Sequence, residues 1–239
     1  MIALILNRIE RDIIMYKYEL HSHTSECDLV AKLSGAELVR EYKAAGYDGI
    51  VITDHYFELF FEWFKDELDG TTHEVQMDRY LKGYRSAKEE GDKLGFTVIA
   101  GTEVRLKDSI NDYLVYGLDE EFFYKAPRLT DIKSLDELLA IFPEEACVVH
   151  AHPFRNGMTV RNPQNLFGIE AYNAGTEKFR NELAHTYAEH YGVRKTSGSD
   201  VHGLNRLAKG GIETERRILN SRDLIEVLRS GEYHLIETY

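Results

Sequence analysis

A chain of 239 residues, 43% of them hydrophobic and 11% aromatic, can bury one sizeable core without disulfide or metal staples. Its 18 glycines and 4 prolines fall below the usual share, which excludes collagen-like, low-complexity and disordered classes. Acids outnumber bases, 41 to 29, for a formal charge of −12, and a chain with no visible basic face is a poor partner for long duplex nucleic acid.

Residues 1–15, MIALILNRIERDIIM, carry a short apolar stretch from Ile2 to Leu6, then charges and no small-residue cleavage site. They read as an N-terminal extension rather than a signal peptide. No apolar run approaches the ~18 residues that cross a membrane. Residues 16–239 read as one domain. KYEL (17–20) alternates like a short strand. Ser34 and Glu37 form a capping box that opens a helix to about Ala45, and Gly46 stops it. DGIVIT (48–53) is a buried strand. The aromatic-rich stretch 56–77 fits no single unit and reads as an inserted helix and loop, a candidate lid. Residues 78–94 are helical up to Gly95; FTVIAG (96–101) and YLVYG (113–117) are strands. A second capping box at Ser134 and Glu137 starts a helix that ends before Pro143. CVVH (147–150), GIEAY (168–172) and RKTSG (194–198) are further strands, and 176–191 and 221–230 are helices. Strands alternating with helices predict an α/β chain with a parallel sheet of about seven βα units, open or closed into a barrel.

Histidines gather where predicted strands end. His21 and His23 follow KYEL, His55 follows IVITD, His150 and His152 end CVV, and His202 follows RKTSG. Glu103 and Asp200 occupy equivalent places. In the pairs His21/His23, His150/His152 and Asp200/His202, alternate residues of an extended chain point the same way, so each pair can aim two side chains at one spot. The C-terminal ends of parallel strands share one rim. Packing these imidazoles and carboxylates there without counter-charge would cost desolvation and repulsion, which divalent cations remove. A His/Asp/Glu set without cysteine suits zinc, manganese or iron better than magnesium or calcium. Cys27 reads as a buried thiol. The two cysteines, Cys27 and Cys147, give no disulfide framework and fit a reducing cytoplasm.

HSHTSECD (21–28), ITDH (52–55), GTEVR (101–105), HAHPFR (150–155) and SGSDVH (197–202) together resemble the ordered motifs of the PHP (polymerase and histidinol phosphatase) domain family. The resemblance implies a distorted (β/α)7, TIM-like barrel with two or three divalent ions at the C-terminal strand ends, and phosphoester hydrolysis. Carried over by position, it implies that His21, His23, Glu103 and Asp200 hold one ion, with Glu103 bridging to a second. Asp28, His55 and His202 would hold another, and His152 would complete the remaining site. Many members place a histidine shortly before the strand that here reads YLVYG. This chain has Asp112 there, so either Asp112 supplies an oxygen ligand or one ion is weak or absent. His150 has no family role and reads as orienting a ligand.

The chemistry expected of such ions is a metal-bridging water attacking phosphorus, with no protein nucleophile. Arg155, placed after His-Pro, is the first choice for phosphate oxygens, with Arg105, Arg161, Arg206 and Lys209 behind it. The expected substrate is a small phosphomonoester or short nucleotide, with no long duplex and no membrane. The alternatives are amide or ester hydrolysis by the same centre, or a metal-stabilised binding module without catalysis. Oligomeric state is not legible.

Overall fold

The computed structural model describes residues 14–239, so most of the expected N-terminal extension lies outside the described residues. The elements follow the expected alternation. β1 is Tyr16–Glu19, α1 Gly35–Ala44, β2 Gly49–Ile52 and β3 His55–Tyr56. Three helices follow, α2 Glu58–Trp63, α3 Lys65–Leu68 and α4 His73–Tyr80, then α5 Lys82–Leu94. Next come β4 Thr97–Arg105, β5 Asp112–Tyr116, α6 Glu120–Lys125, α7 Leu135–Ile141 and β6 Cys147–His150. β7 Gly168–Asn173, α8 Lys178–Tyr191, β8 Arg194–Gly198, β9 Ile212–Thr214, α9 Ser221–Ser230 and β10 His234–Leu235 complete the chain.

Local signals set the helix limits. Ser34 accepts from the Glu37 N–H while the Glu37 carboxylate accepts from the Ser34 N–H at 2.8 Å, the full capping box. Gly95 ends α5 in the left-handed conformation, φ 64°. Ser134 accepts from Glu137 N–H, but the Glu137 side chain reaches Lys133 N–H instead, so only half of the second box forms. The helical pattern of 78–94 is divided at Leu81, where α4 passes into α5.

The strands run in the order β10-β9-β1-β2-β4-β5-β6-β7-β8 and curl into a nearly closed, distorted barrel. Four of the eight neighbouring pairs in this order are parallel; β5 is antiparallel to both β4 and β6, and β9 to both β1 and β10. The expected all-parallel sheet fails at β5 because the link from Arg105 to Asp112 is too short for a crossover helix, so the chain can only turn back. β4 also outruns β2 and takes β3 as a second parallel partner, with His55 opposite Glu103.

Closure comes at the far edge. Ser22 bridges Val201 in parallel, and Val201 N–H reaches the His21 carbonyl at 3.4 Å. Beneath it the Glu19 carboxylate is fully buried. It accepts from the N–H groups of Leu20 (3.0 Å), His21 (2.9 Å) and Ser199 (2.9 Å), from the Tyr42 hydroxyl (2.7 Å) and from the Ser199 hydroxyl. One side chain thus ties β1, α1 and the end of β8 together.

Inside the barrel, Leu20, Val51, Leu114, Val149 and their neighbours form a core on which α9 lays Leu224, Ile225, Val227 and Leu228. The inserted stretch after β3 buries Phe60, Phe61, Phe64 and Leu68 against Tyr80 and Phe123. Among the described residues no helix is long and apolar enough to cross a membrane.

Removing the Glu19 carboxylate strands buried donors on both sides of the seam. Glu19→Ala is expected to lower unfolding free energy by about 3 kcal/mol, and Glu19→Gln, which keeps one acceptor oxygen, by about 1 kcal/mol. Equilibrium urea unfolding measures both, and equal losses for the two variants would show that the carboxylate is not the tie described.

Candidate metal centre

The barrel rim brings together side chains that lie far apart in sequence. Glu103, near the C-terminal end of β4, is 1% exposed and central. Its Oε2 lies 3.3 Å from His21 Nε2, 3.4 Å from His23 Nε2 and 3.0 Å from His55 Nε2. Its Oε1 lies 3.0 Å from His152 Nε2. Asp200 Oδ1 stands 3.6 Å from His21 Nε2, 3.3 Å from His23 Nε2 and 3.4 Å from His202 Nδ1. Asp28 Oδ2 is 3.0 Å from both His55 Nδ1 and His202 Nε2. Asp112 Oδ2 is 3.8 Å from His152 Nε2.

These contacts resolve into overlapping groups whose ligand atoms lie within 4.8 Å of one another: His23, Asp28, His55 and His202; His21, His152 and Asp200; His21, His23 and Glu103; and Glu103, Asp112 and His152. Every residue named in the sequence as a candidate ligand, Asp112 included, therefore falls into a group that could hold a cation. The fit is more than proximity. His21 Nε2, both ring nitrogens of His23, His55 Nδ1 and Asp28 Oδ2 are buried with no aligned hydrogen-bond partner in the protein. Such atoms are costly unless something else satisfies them, and a divalent ion does so. The donor set of imidazoles and carboxylates suits a divalent ion.

Electrostatics tell the same story. Burial works against a charged His21, yet Glu170, Glu103 and Asp200 outweigh it and hold the imidazole well above its usual value. His55 is likewise raised to about 10, burial being overcome by Asp28 and Glu103. Burial and the charges of His55 and His202 push His23 well below the usual value. Burial would raise Glu103 and Asp200, but their cationic neighbours, His21 first among them, hold both well below the carboxylate range. The metal-free cluster thus balances its carboxylates with imidazole protons, and a cation would have to displace them.

One support, Glu170, lies outside the motifs, and a second, Gly198, lies in SGSDVH without a role that the sequence alone discloses. Glu170, inside β7, accepts from His21 Nδ1 at 2.7 Å and, through its other oxygen, from His152 N–H and Asn173 Nδ2 at 2.9 Å each. An ionised carboxylate only accepts, so Nδ1 carries a proton, and Nε2, once it gives up its own, can turn a lone pair to the cluster. Gly198 lets β8 pass close beside it: a Cβ there would lie 2.3 Å from His21 Cβ and 2.6 Å from Glu170 Oε1. A buried acid amid the apolar run GIEAY was the available signal for Glu170. His152 and Asp200 hold positive φ, 29° and 48°, in the region non-glycine residues avoid. His150 does not orient a ligand as expected. It stacks on Tyr113, 5.4 Å between centroids, and neither ring nitrogen has a hydrogen-bond partner in the protein. Cys27 is fully buried and donates its thiol to the Tyr80 carbonyl.

A cavity of about 570 Å³ opens over the cluster, lined by His55, His152, Asp200 and His202 together with the apolar side chains Phe57, Leu59, Trp63 and Met158. Arg105, Arg155 and Arg206 also line it. Arg155 hydrogen-bonds Asn173 Oδ1 at 2.9 Å and pairs with Asp200 Oδ2, and Arg206 stands 3.5 Å from the same oxygen. Arg161 and Lys209 are not brought to the cavity. Arg161 is exposed beside the Tyr113 hydroxyl, and the Lys209 backbone packs against Ser199.

Comparison with known proteins follows the geometry. The family model described as PHP domain matches residues 19–214. No curated protein matches the sequence. Among solved structures, a two-domain protein from Bacteroides vulgatus containing a predicted PHP-like metal-dependent phosphoesterase is 14% identical, with a TM-score of 0.67 over 94% of this chain and 65% of that one. PsfC from Pseudomonas syringae is 16% identical, with a TM-score of 0.63 over 94% and 92%. Endonuclease Q, solved with a 27-mer duplex bearing an abasic lesion at its active site, is 12% identical, with a TM-score of 0.61 over 91% of this chain and 57% of that one. Identities this low speak to the fold alone.

Two outcomes are expected of this site. Glu170→Ala should weaken Mn²⁺ binding by about 10–100-fold while circular dichroism stays unchanged, with Glu170→Gln closer to wild type. Unchanged affinity in Glu170→Ala would remove the carboxylate from any part in setting the His21 tautomer. Because His21 and His55, the latter raised to about 10, must lose protons to bind an ion, Mn²⁺ binding should release protons and tighten as pH rises through the neutral range. Calorimetry in buffers of different ionisation enthalpy measures the release, and proton-independent binding would contradict it.

Proposed function

The chain belongs to the PHP domain family, whose model matches residues 19–214, and on that footing we propose that it is a metal-dependent phosphoesterase acting on a small phosphomonoester or short nucleotide. The observation that carries the reading is the pairing of a buried His/Asp/Glu cluster with three guanidinium groups around one cavity.

In this reading His21, His23, Glu103 and Asp200 would hold one divalent ion, Asp28, His55 and His202 a second, and Glu103, Asp112 and His152 a third. When bound, such ions supply Lewis acidity toward phosphoryl oxygens and acidify coordinated water. The side chains do the placing. Arg155 and Arg206 offer N–H groups that match phosphate oxygens and neutralise charge on the transferred group, and Arg105, held on Asp112, adds positive charge to the same cavity. Phe57, Leu59, Trp63 and Met158 form an apolar wall that excludes water and can receive the alcohol portion of an ester.

Among the described residues, the hydroxyls of Ser22 and Ser199 and the thiol of Cys27 are not free to act as nucleophiles. The Ser22 hydroxyl donates to the Val51 carbonyl at 2.7 Å, the Ser199 hydroxyl to Glu19, and burial pushes the Cys27 thiol well above its usual value. This supports attack by water. Both cysteines are free and buried, which supports a cytoplasmic setting. The endonuclease Q complex shows that the fold can receive a duplex in that protein. The charge of −12 favours a smaller partner here.

Manganese-loaded protein should hydrolyse a chromogenic phosphomonoester, with phosphate and vanadate as competitive inhibitors and carboxylates without effect. Glu103→Gln should lower kcat/KM by at least about 100-fold. Metal-replete protein inactive on phosphomonoesters, nucleotides and short oligonucleotides alike would overturn the reading.

A further inference from the structure

Four carboxylates face the cluster, and guanidinium groups treat two of them differently. Arg155 and Arg206 both reach Asp200 through Oδ2, leaving Oδ1 to face His21, His23 and His202. Arg105 instead clamps Asp112 through both oxygens: Nε to Oδ1 at 2.6 Å and Nη2 to Oδ2 at 2.8 Å. Among the described residues, Asp28 and Glu103 have no arginine partner.

The clamp is built into the fold. Arg105 and Asp112 are directly opposite in the β4–β5 ladder, so the hairpin that reverses the sheet also sets this pair. Asp112 is 2% exposed. The Arg105 guanidinium rests 4.3 Å from the centroid of Phe57, whose ring stacks 4.3 Å from His55. A bidentate, stacked guanidinium is a poor candidate for displacement.

The groups that could hold a cation are therefore unequal. One offers three imidazoles with Asp28, and those around His21 offer two imidazoles with Glu103 or Asp200. The group of Glu103, Asp112 and His152 offers one imidazole, one carboxylate that also faces three other histidines, and one carboxylate already neutralised through both oxygens. A dication there would face a guanidinium across the same carboxylate.

We infer that Arg105 takes the electrostatic place of a third divalent ion, so that the protein saturates with two tightly held ions and fills the Glu103–Asp112–His152 position only weakly. The inference rests on the reading that the cluster holds divalent ions and adds their number and order of affinity.

The test is equilibrium dialysis of the full chain, stripped with chelator and titrated with Mn²⁺, with bound metal counted by mass spectrometry. Wild type should bind two ions, the third at least about tenfold weaker. Arg105→Gln frees Asp112, so its third ion should bind about tenfold tighter than in wild type, and Arg105→Lys, which keeps charge without the fork, should fall between. Should Arg105→Gln not fold, Asp112→Asn decides: it should keep both tight ions and lose the weak one. Three ions of like affinity in wild type would overturn the inference alone. So would a folded Arg105→Gln that still binds only two, or loss of a tight ion in Asp112→Asn. Wild type that binds no ion would overturn the functional reading as well.

Discussion

A carboxylate withdrawn from water costs several kcal/mol unless cationic partners surround it. Glu103 is in that position, 1% exposed with imidazole nitrogens on four sides. Its place depends on β4, which carries β2, β3 and β5 as neighbours. Side chains alternate faces along a strand, so a slip of one residue in β4 would turn Glu103 outward and leave four imidazoles facing one another. The register of one strand therefore underlies the whole rim, and the buried apolar residues Val98, Ile99, Ala100 and Val104 along it hold that register.

A second layer of acids serves the backbone rather than the cavity. Glu19 gathers N–H groups from the residues just after β1 and from the turn after β8, where Asp200 begins its left-handed bend. Glu170 takes the His152 N–H at another strained residue and also orients His21. Asp54 accepts from Thr24 N–H at 2.6 Å and from its hydroxyl at 2.8 Å, fixing the loop that carries His23 next to the one that carries His55. Backbone strain of this sort persists only where surrounding bonds over-determine it, and Glu170 and Glu19 supply such bonds at His152 and beside Asp200. The cluster is pre-shaped by groups that never face the cavity.

This division decides what the sequence could reveal. Cavity-facing acids and histidines occur at strand ends, in pairs spaced by two, and the ordered motifs carried their identity; the candidate ligands from His21 to His202 all meet at the rim. Supporting acids sit inside strands, where Glu19 and Glu170 look like isolated charges in KYEL and GIEAY, and only the three-dimensional donors around them explain their burial. Strand direction was similarly hidden at YLVYG: the pattern predicts a strand, whereas the short link before it reverses that strand. That reversal sets Asp112 opposite Arg105, a pairing that no spacing rule in a parallel sheet would offer. Among cationic residues, sequence neighbourhood was a weak guide. Arg105, Arg155 and Arg206 reach the cavity, whereas the chain leads Arg161 and Lys209 elsewhere.

An acidic protein that handles an anion must reverse its field locally, and distance explains how. Charges on the outer surface are screened over about 8–10 Å at ordinary ionic strength, so most of the −12 is faint inside a cavity walled by protein. Within it, Arg155 and Arg206 lean on Asp200, so their charge is offset until a cation joins the cluster and claims that carboxylate. Loading would then free guanidinium charge for phosphate, making the cavity attractive to anions only when it is competent to act on them. On the proposed reading, a long polyanion would still lie within a screening length of the acidic surface outside, and this asymmetry between mouth and surroundings favours a phosphoester small enough to enter whole.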